Sequence, residues 1–326
     1  MKVEFNKALV TGGAGFIGSH LVEALVSAGC RVAVLDNLSS GSLSNLEPVK
    51  DQIDFHENDI RQLEVLTDVT QGCDVIFHLA AVVAVQQTIQ DPVESAMVND
   101  IGTINVLEAG RRCGVRRFVL ASSCAVYGDD PRLPKDETMP AVPASPYAVH
   151  KLAGEHQVRV YSELFGLKTA SLRFFNVFGP RQNPSSPYSG VISIFMTRAV
   201  ADQAPVIYGD GRQSRDFVYV KDVVKALMLA AGSNDAAAGP INIGTGSAVT
   251  INLLWDLIAS LADRHATPVY VPARAGDILH SLACIERAEA ILGYKPEFSL
   301  EEGLAATLEW YRGQKTDDSG QMTAGR

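Results

Sequence analysis

The chain has 326 residues, 47% of them hydrophobic, which suits one large domain or two ordinary ones at roughly 150 residues each. Its 28 basic and 37 acidic side chains leave a net charge of -9, with no Lys/Arg block to follow a phosphate backbone, so nucleic acid is excluded as a partner. Apolar runs fall well short of the ~18 residues that span a bilayer and Met1 to Asn6 lacks the apolar stretch of a signal peptide, so a cytoplasmic chain with no membrane association is expected.

Short β-branched runs alternate with longer stretches of helical period through the first half, the pattern of a parallel sheet with crossover helices. The fold class expected is α/β, a Rossmann-type doubly wound parallel sheet with a smaller, discontinuous C-terminal substrate-binding domain. Strands are read at Lys7 to Thr11, Arg31 to Asp36, Asp74 to His78, Arg117 to Ser122 and Lys168 to Arg173, and helices begin near Gly15, Val93 and Pro146. Ligands of such a sheet bind beyond the carboxyl ends of its strands, which directs Thr11, Asp36, His78, Ser122 and Arg173 to one crevice. From Asn176 the texture changes, with Gly179, Pro180, Pro184, Pro187 and Gly190 marking a long irregular stretch. Phe217 to Gly232 and Ile241 to Gly244 read as a helix and a strand returning to the first sheet, and Leu300 to Tyr311 as a last amphipathic helix. The expected division is 1–175 for a cofactor domain with returning segments near 217–244, 176–312 mainly for substrate, and 313–326 for a disordered polar tail.

The first chemical signal is Thr11-Gly12-Gly13-Ala14-Gly15-Phe16-Ile17-Gly18, which follows a strand and opens a helix. Gly12 allows a tight turn, Gly15 lets the backbone approach a pyrophosphate, and Gly18 lets the helix pack close to the sheet with its N-terminal N–H groups facing phosphate. Asp36, 18 residues beyond Gly18, ends the second strand, where a carboxylate accepts both adenosine ribose hydroxyls. A 2′-phosphate would be repelled there, and Asn37-Leu38-Ser39-Ser40 offers no cation, so NAD is expected rather than NADP.

The second signal is Tyr147 and Lys151, four apart on one face of a helix that Pro146 starts. The same spacing at Tyr311 and Lys315 serves as a control, since no strand-end serine precedes it, whereas Tyr147 follows Ser122-Ser123-Cys124-Ala125-Val126-Tyr127-Gly128. The five cysteines, Cys30, Cys73, Cys113, Cys124 and Cys284, are scattered with no Cys-x-x-Cys pair, which reads as free thiols with no metal site.

Glycine loop, Ser123 and Tyr-x-x-x-Lys together resemble the extended short-chain dehydrogenase/reductase family over roughly residues 5 to 312, and within it the nucleotide-sugar C4-epimerases. Further matches are His78-Leu79-Ala80-Ala81, Asn99 with Gly102-Thr103 and Asn105, Phe175 to Gly179, Arg215-Asp216-Phe217 and Arg274 to Asp277. The resemblance implies an isomerase in which Tyr147 is the general base, Ser123 relays the proton and Lys151 holds the nicotinamide ribose and favours the phenolate. It implies NAD contacts at Gly12, Gly15, Phe16, Ile17, Gly18, Asp36, Asn37, Asp59, Ile60, Leu79, Ala80, Ala81 and Asn99, besides Tyr147 and Lys151. Asn176, Arg215, Arg274 and Asp277 would hold the nucleotide, Tyr208 would stack on uracil, and Arg181 and Gln182 would lie beside the sugar.

Related 4,6-dehydratases and uronic acid decarboxylases carry acids between the serine and the Val-Tyr-Gly, where this chain has Cys124 and Ala125, so an oxidised sugar is better returned than consumed. Cys124 reads as packing. Gln182 and Ser281 match UDP-N-acetylglucosamine 4-epimerases, the small Ser281 leaving room for an N-acetyl group; Val83-Ala84 departs from the Gly-Ser of those enzymes and points toward a plain hexose. The alternatives are a UDP-glucuronate 4-epimerase, with Arg181 as the cation for the carboxylate, a net reductase, and a non-catalytic NAD-binding sensor. Helices Val93 to Cys113 and Pro146 to Phe165 resemble the pair that builds a four-helix dimer interface in the family, so a homodimer is expected.

Overall fold

The computed structural model describes residues 5–183, 190–233, 235–236, 239–273 and 278–320. Among them, seven parallel strands form the central sheet: β1 (Lys7–Thr11), β2 (Arg31–Asp36), β3 (Ile53–Glu57), β4 (Val75–His78), β5 (Arg117–Ser123), β6 (Lys168–Phe174) and β11 (Pro240–Ile243), in the order β11-β6-β5-β4-β1-β2-β3. Helices cover both faces, which is why β1, β4 and β5 read as continuous apolar runs rather than alternating ones. The fold is the doubly wound α/β sheet expected. Strand β3 escapes sequence reading because it is an edge strand of five residues, Ile-Asp-Phe-His-Glu, none of them fully buried.

The chain winds outward from β1 through β2 and β3, then returns to place β4 on the other side of β1. That reversal opens a crevice at the carboxyl ends of β1 and β4. The crossover helices of this half are α1 (Phe16–Ser27), α2 (Leu63–Thr70), α3 (Val85–Gln90), α4 (Pro92–Ala96), α5 (Gly102–Arg112) and α6 (Pro146–Phe165), with a π-helical turn Met97–Ile101 between α4 and α5. Helix α6 has its stop and start written locally. The Ser145 side chain accepts the Ala148 N–H, Pro146 occupies the first turn, and Gly166 ends the helix at φ 71°.

Beyond β6 come the short strands β7 (Asn176–Phe178), β8 (Val206–Tyr208), β9 (Ser214–Arg215), β10 (Phe217–Tyr219), β12 (Val249–Thr250) and β13 (Val269–Val271), paired as β10-β7, β12-β9 and β13-β8. They alternate with α7 (Val191–Ala201), α8 (Val220–Gly232), α9 (Ile251–Ala262), α10 (Glu286–Leu292) and α11 (Leu300–Gly320). Phe195, Met196, Trp255, Ile258, Leu304 and Leu308 gather into a second apolar core beside the sheet. Two boundaries differ from the sequence reading. The segment from Phe217 is first a strand, with the helix starting at Val220, and the last helix does not end at Tyr311 but continues to Gly320, since no proline interrupts it and Gln314 and Lys315 are good helix formers.

Candidate active site

The loop from Gly12 to Gly18 leaves no room for side chains at its two critical points. Gly12 has φ 72°, and a Cβ there would stand 2.7 Å from the Ala80 nitrogen; a Cβ on Gly18 would lie 2.1 Å from the Gly12 carbonyl oxygen. Helix α1 begins at Phe16 and Ile17 with Gly15 as its N-cap and no side-chain cap, so its first N–H groups are available to an anion. Asp36 accepts the N–H of Ala14 at 2.9 Å through one oxygen and that of Leu38 at 2.8 Å through the other, which fixes the carboxylate beside the loop. Burial raises its pKa, with those two donors opposing the rise. An uncapped helix end, a backbone cradle and a strand-end carboxylate fit the pyrophosphate and ribose of a dinucleotide.

Around this cradle, several residues are committed to protein partners. Asn37 donates to Asp59 at 2.9 Å, and Asp59 also takes Nε and Nη2 of Arg61, whose hydrogen bonds hold its carboxyl down at about 2. Arg61 reaches Glu94 as well, so this cation is already paired on both sides. Ile60 is buried against Gly102, and Leu79 continues β4 with its N–H on the Thr11 carbonyl at 3.1 Å. Asn99, in the π-helical turn, gives both amide atoms to Val82, accepting its N–H at 2.8 Å and donating to its carbonyl at 3.0 Å. Ala80 and Ala81 line a water-sized cavity with Asn99, His150 and Lys151.

Across the crevice, β5 and α6 bring Ser123, Tyr147 and Lys151 together. Lys151 Nζ donates to the Ala121 carbonyl at 2.8 Å and lies 5.8 Å from the centroid of the Tyr147 ring. Ser123 Oγ accepts the Ala125 N–H at 3.2 Å and lies beside the Tyr147 phenol. Burial pushes Tyr147 up to about 12, the nearby Ser123 hydroxyl working against it, and burial alone brings Lys151 down to about 8.

The strand-end residues do not all face the crevice. Thr11, His78, Ser122 and Arg173 are 0%, 2%, 3% and 4% exposed and form a polar layer beneath it. His78 bridges Thr11 Oγ1 at 2.7 Å and Thr103 Oγ1 at 3.0 Å, and burial drops its pKa to about 3, so it is a neutral structural imidazole. Side chains alternate along a strand, so Ser123 meets Tyr147 while Ser122 turns to Glu155.

On the substrate side, Arg215 donates to the carbonyls of Ser214 at 2.9 Å and Leu279 at 3.2 Å, and Ser281 donates its backbone N–H to Ser214 at 3.0 Å. The half-buried Cys124 thiol lies beside the Ser281 side chain; burial, with the nearby Asp216 carboxylate, pushes it up to about 11, which makes it an unreactive thiol. Cys124 also packs on the cluster of Val126, Tyr127 and Phe175. Asn176 donates to the Asp216 carbonyl at 3.1 Å, and the buried Asp216 carboxylate gathers the N–H groups of Thr245, Gly246 and Ala283. Tyr208 is 37% exposed on β8. Arg274 and Asp277 lie outside the described residues.

Arg181 is held by protein partners in this structure. It adopts φ 68°, pairs with Glu23 and donates to Ser19 Oγ at 3.3 Å, both on α1, so its charge is turned to that helix. Its neighbours follow: His20 bonds the Pro180 carbonyl at 3.0 Å, and Tyr311 donates to the Gln182 carbonyl at 2.7 Å. The Gln182 side chain turns toward the Val177 carbonyl at 3.4 Å.

Residues 8–244 match the NAD dependent epimerase/dehydratase family, over more than half of the chain. The chain belongs to this family. It is therefore an NAD-dependent enzyme of the epimerase/dehydratase class. The UDP-glucose 4-epimerase of Mycolicibacterium smegmatis is 40% identical over 94% of this chain and 98% of its own length. The solved UDP-N-acetylglucosamine 4-epimerase of Methanobrevibacter ruminantium, in complex with UDP-N-acetylmuramic acid, matches with a TM-score of 0.92 and 38% identity over 96% of this chain and 100% of that one. The UDP-glucose 4-epimerase of Thermus thermophilus, in complex with NAD, gives 0.86 and 38% over 94% and 99%. Within this epimerase/dehydratase site, sequence reading overlooked Glu155, Glu23 and Arg61. Glu155 carried a signal, the helical repeat Tyr147, Lys151, Glu155; the partners Glu23 and Arg181 are 158 residues apart and carried none.

Proposed function

We propose that the protein is a UDP-sugar 4-epimerase that acts on UDP-N-acetylglucosamine and UDP-N-acetylgalactosamine, and on UDP-glucose and UDP-galactose as well. The observation that carries this reading is the Ser123, Tyr147, Lys151 cluster with Cys124 and Ala125, rather than acids, beside it. NAD held there would supply a hydride acceptor for C4 of the sugar and a hydride donor to the opposite face of the turned 4-keto sugar, so the reaction would be redox-neutral overall. Tyr147 takes the proton of the 4-hydroxyl, and Ser123, beside the phenol, holds the same oxygen and relays the proton. A phenol near 12 is no base at neutral pH, so the Lys151 ammonium, together with a positive nicotinamide ring, has to stabilise the phenolate. With no acid at positions 124 and 125 to protonate a leaving hydroxyl, the 4-keto sugar is returned rather than dehydrated.

Gly12, Gly15, Gly18 and Asp36 would hold the cofactor, with Phe16 and Ile17 presenting N–H groups to its pyrophosphate. Asn176, Arg215, Arg274 and Asp277 would hold the UDP and Tyr208 would stack on its base, which assigns 1–175 to NAD and 176–312 mainly to substrate. The contact of Ser281 with Cys124 puts two small side chains at one point of the wall, which supports room for an N-acetyl group. The pairing of Arg181 with Glu23 weakens the UDP-glucuronate reading, since that was the cation assigned to a carboxylate. The names of the relatives support the same activity. No described helix is long and apolar enough to cross a membrane, and free thiols agree with a cytoplasmic site of action.

The test is incubation of purified protein, with no added cofactor, with UDP-N-acetylglucosamine and in parallel with UDP-glucose, followed by anion-exchange separation of the epimers. Both are expected to convert, and Tyr147→Phe to lose most of kcat while keeping its NAD. Ser281→Tyr is expected to abolish turnover of the N-acetylated sugar and spare UDP-glucose; equal loss of both contradicts the size argument. No epimer from either substrate, even with NAD supplied, overturns the function.

A further inference from the structure

The trio comes from two elements, Ser123 from the end of β5 and Tyr147 and Lys151 from α6. Near them lies a buried ion pair, Glu155 with Arg173, whose side chains are 7% and 5% exposed. It is bidentate: Arg173 Nε donates to Glu155 Oε1 at 2.8 Å and Nη2 to Oε2 at 2.7 Å. Glu155 stands one turn past Lys151 on the same face of α6. Arg173 is the register partner of Ser122 across β5 and β6, so the two side chains leave the sheet on the same side, and Ser122 Oγ donates to Glu155 Oε1 at 2.5 Å. The guanidinium also lies 4.8 Å over the Tyr127 ring. Tyr127 closes the 3-10 turn Cys124–Tyr127 and donates its hydroxyl to Asn242 on β11 at 2.7 Å.

The pair therefore holds the Ser123 segment at both ends, at Ser122 before it and Tyr127 after it, while its carboxylate belongs to the helix of Tyr147 and Lys151. A buried ion pair is a weak source of stability, because desolvating two charges offsets their attraction and apolar side chains of equal volume do as well. What it adds is direction, through the planar fork of the guanidinium on a carboxylate. We infer that Glu155 and Arg173 are positioning residues that set the Ser123, Tyr147 and Lys151 geometry by locking the β5 turn onto α6. They touch neither sugar nor cofactor in this role, and the inference rests on the catalytic reading of the trio given above.

Glu155→Gln keeps the shape and removes the charge. Its kcat is expected to fall about ten- to a hundredfold, with KM and retained NAD within about twofold, since a small misplacement affects the reacting geometry more than binding. Because that variant strands a buried guanidinium, the paired variant Glu155→Leu with Arg173→Met is measured beside it. It is expected to unfold in urea at the wild-type midpoint and yet to be as slow as Glu155→Gln. Crystal structures of NAD-bound wild type and paired variant add a readout independent of turnover, and the separation of the Ser123 and Tyr147 hydroxyls is expected to change by about 1 Å or more in the variant. Wild-type kcat in the paired variant, or an unchanged separation of the Ser123 and Tyr147 hydroxyls in its structure, overturns the inference. If wild type makes no epimer, the function proposed above has failed, and the crystal structures alone decide whether the pair positions the trio.

Discussion

Tyr147 and Lys151 show what burial does to a pair of unlike titrating groups: each charged form is penalised, so the phenol moves up to about 12 and the ammonium down to about 8. A consequence can be measured without any substrate. The folded pKa of Lys151 lies below its ordinary 10.5, so between about pH 8 and 10.5 the unfolded chain binds more protons, and stability contributed at this site rises with pH through that window. Below about 8 the penalty of the buried charge is complete. In cofactor-free protein, wild type is expected to gain on Lys151→Met, from about pH 7 to about pH 10, by something on the order of 1–3 kcal/mol in urea unfolding. A gap that stays constant with pH contradicts the placement of a strained ammonium there. That Tyr147 and Lys151 share a helix started by Pro146, after a strand ending near Ser123, was legible in the sequence. Whether Arg181 pointed at a sugar or at Glu23 was not, because the direction of a long side chain is set by whichever partner the fold brings near it.

At the scale of elements, local rules account for most of what forms. Five strands fall within one residue of the sequence reading, and α6 starts at Pro146 because cap and first-turn residues are written in order. The glycine loop depends on contact between a helix and its own preceding turn. A Cβ on Gly18 would meet the Gly12 carbonyl oxygen at 2.1 Å and the Gly13 Cα at 2.8 Å, all of it backbone that cannot rotate away. Gly18→Ala is therefore expected to push α1 off the loop, to lower stability by about 1–3 kcal/mol and to lose most retained NAD. Unfolding curves and the nucleotide released on denaturation check both; full retention of NAD would show that the close approach is dispensable. Edge strand β3 stayed hidden because its mixed polar pattern lacks the apolar run that marked its neighbours.

The whole molecule presents one apolar face that the described chain leaves open. Val93, Met97 and Ile101 follow one another at helical spacing, and Val149, Val160 and Leu164 do so on α6, with Val93 73% and Leu164 69% exposed. This supports the homodimer that we propose, with two such helical faces packed against each other. Light scattering is expected to give twice the mass of the chain at micromolar concentration, and Val93→Arg with Leu164→Arg to give a monomer. A monomeric wild type removes the dimer. At the same scale, the segment from Pro180 to Gln182 is tied to α1 through His20 and Glu23 and to α11 through Tyr311, so the two halves share contacts close to the crevice.

The sequence by itself determined the α/β class, the dinucleotide loop, Asp36 and the Tyr-x-x-x-Lys pair, because each rests on periodicity or spacing within a few turns of chain. Only the tertiary structure decided which polar groups are buried together. Glu155 meets Arg173, Cys124 meets Ser281, Arg181 meets Glu23, and His78 is sealed between two threonines. A charge or hydroxyl removed from water must find a partner, and which partner lies within reach is fixed by how distant segments cross, a matter on which spacing along the chain is silent.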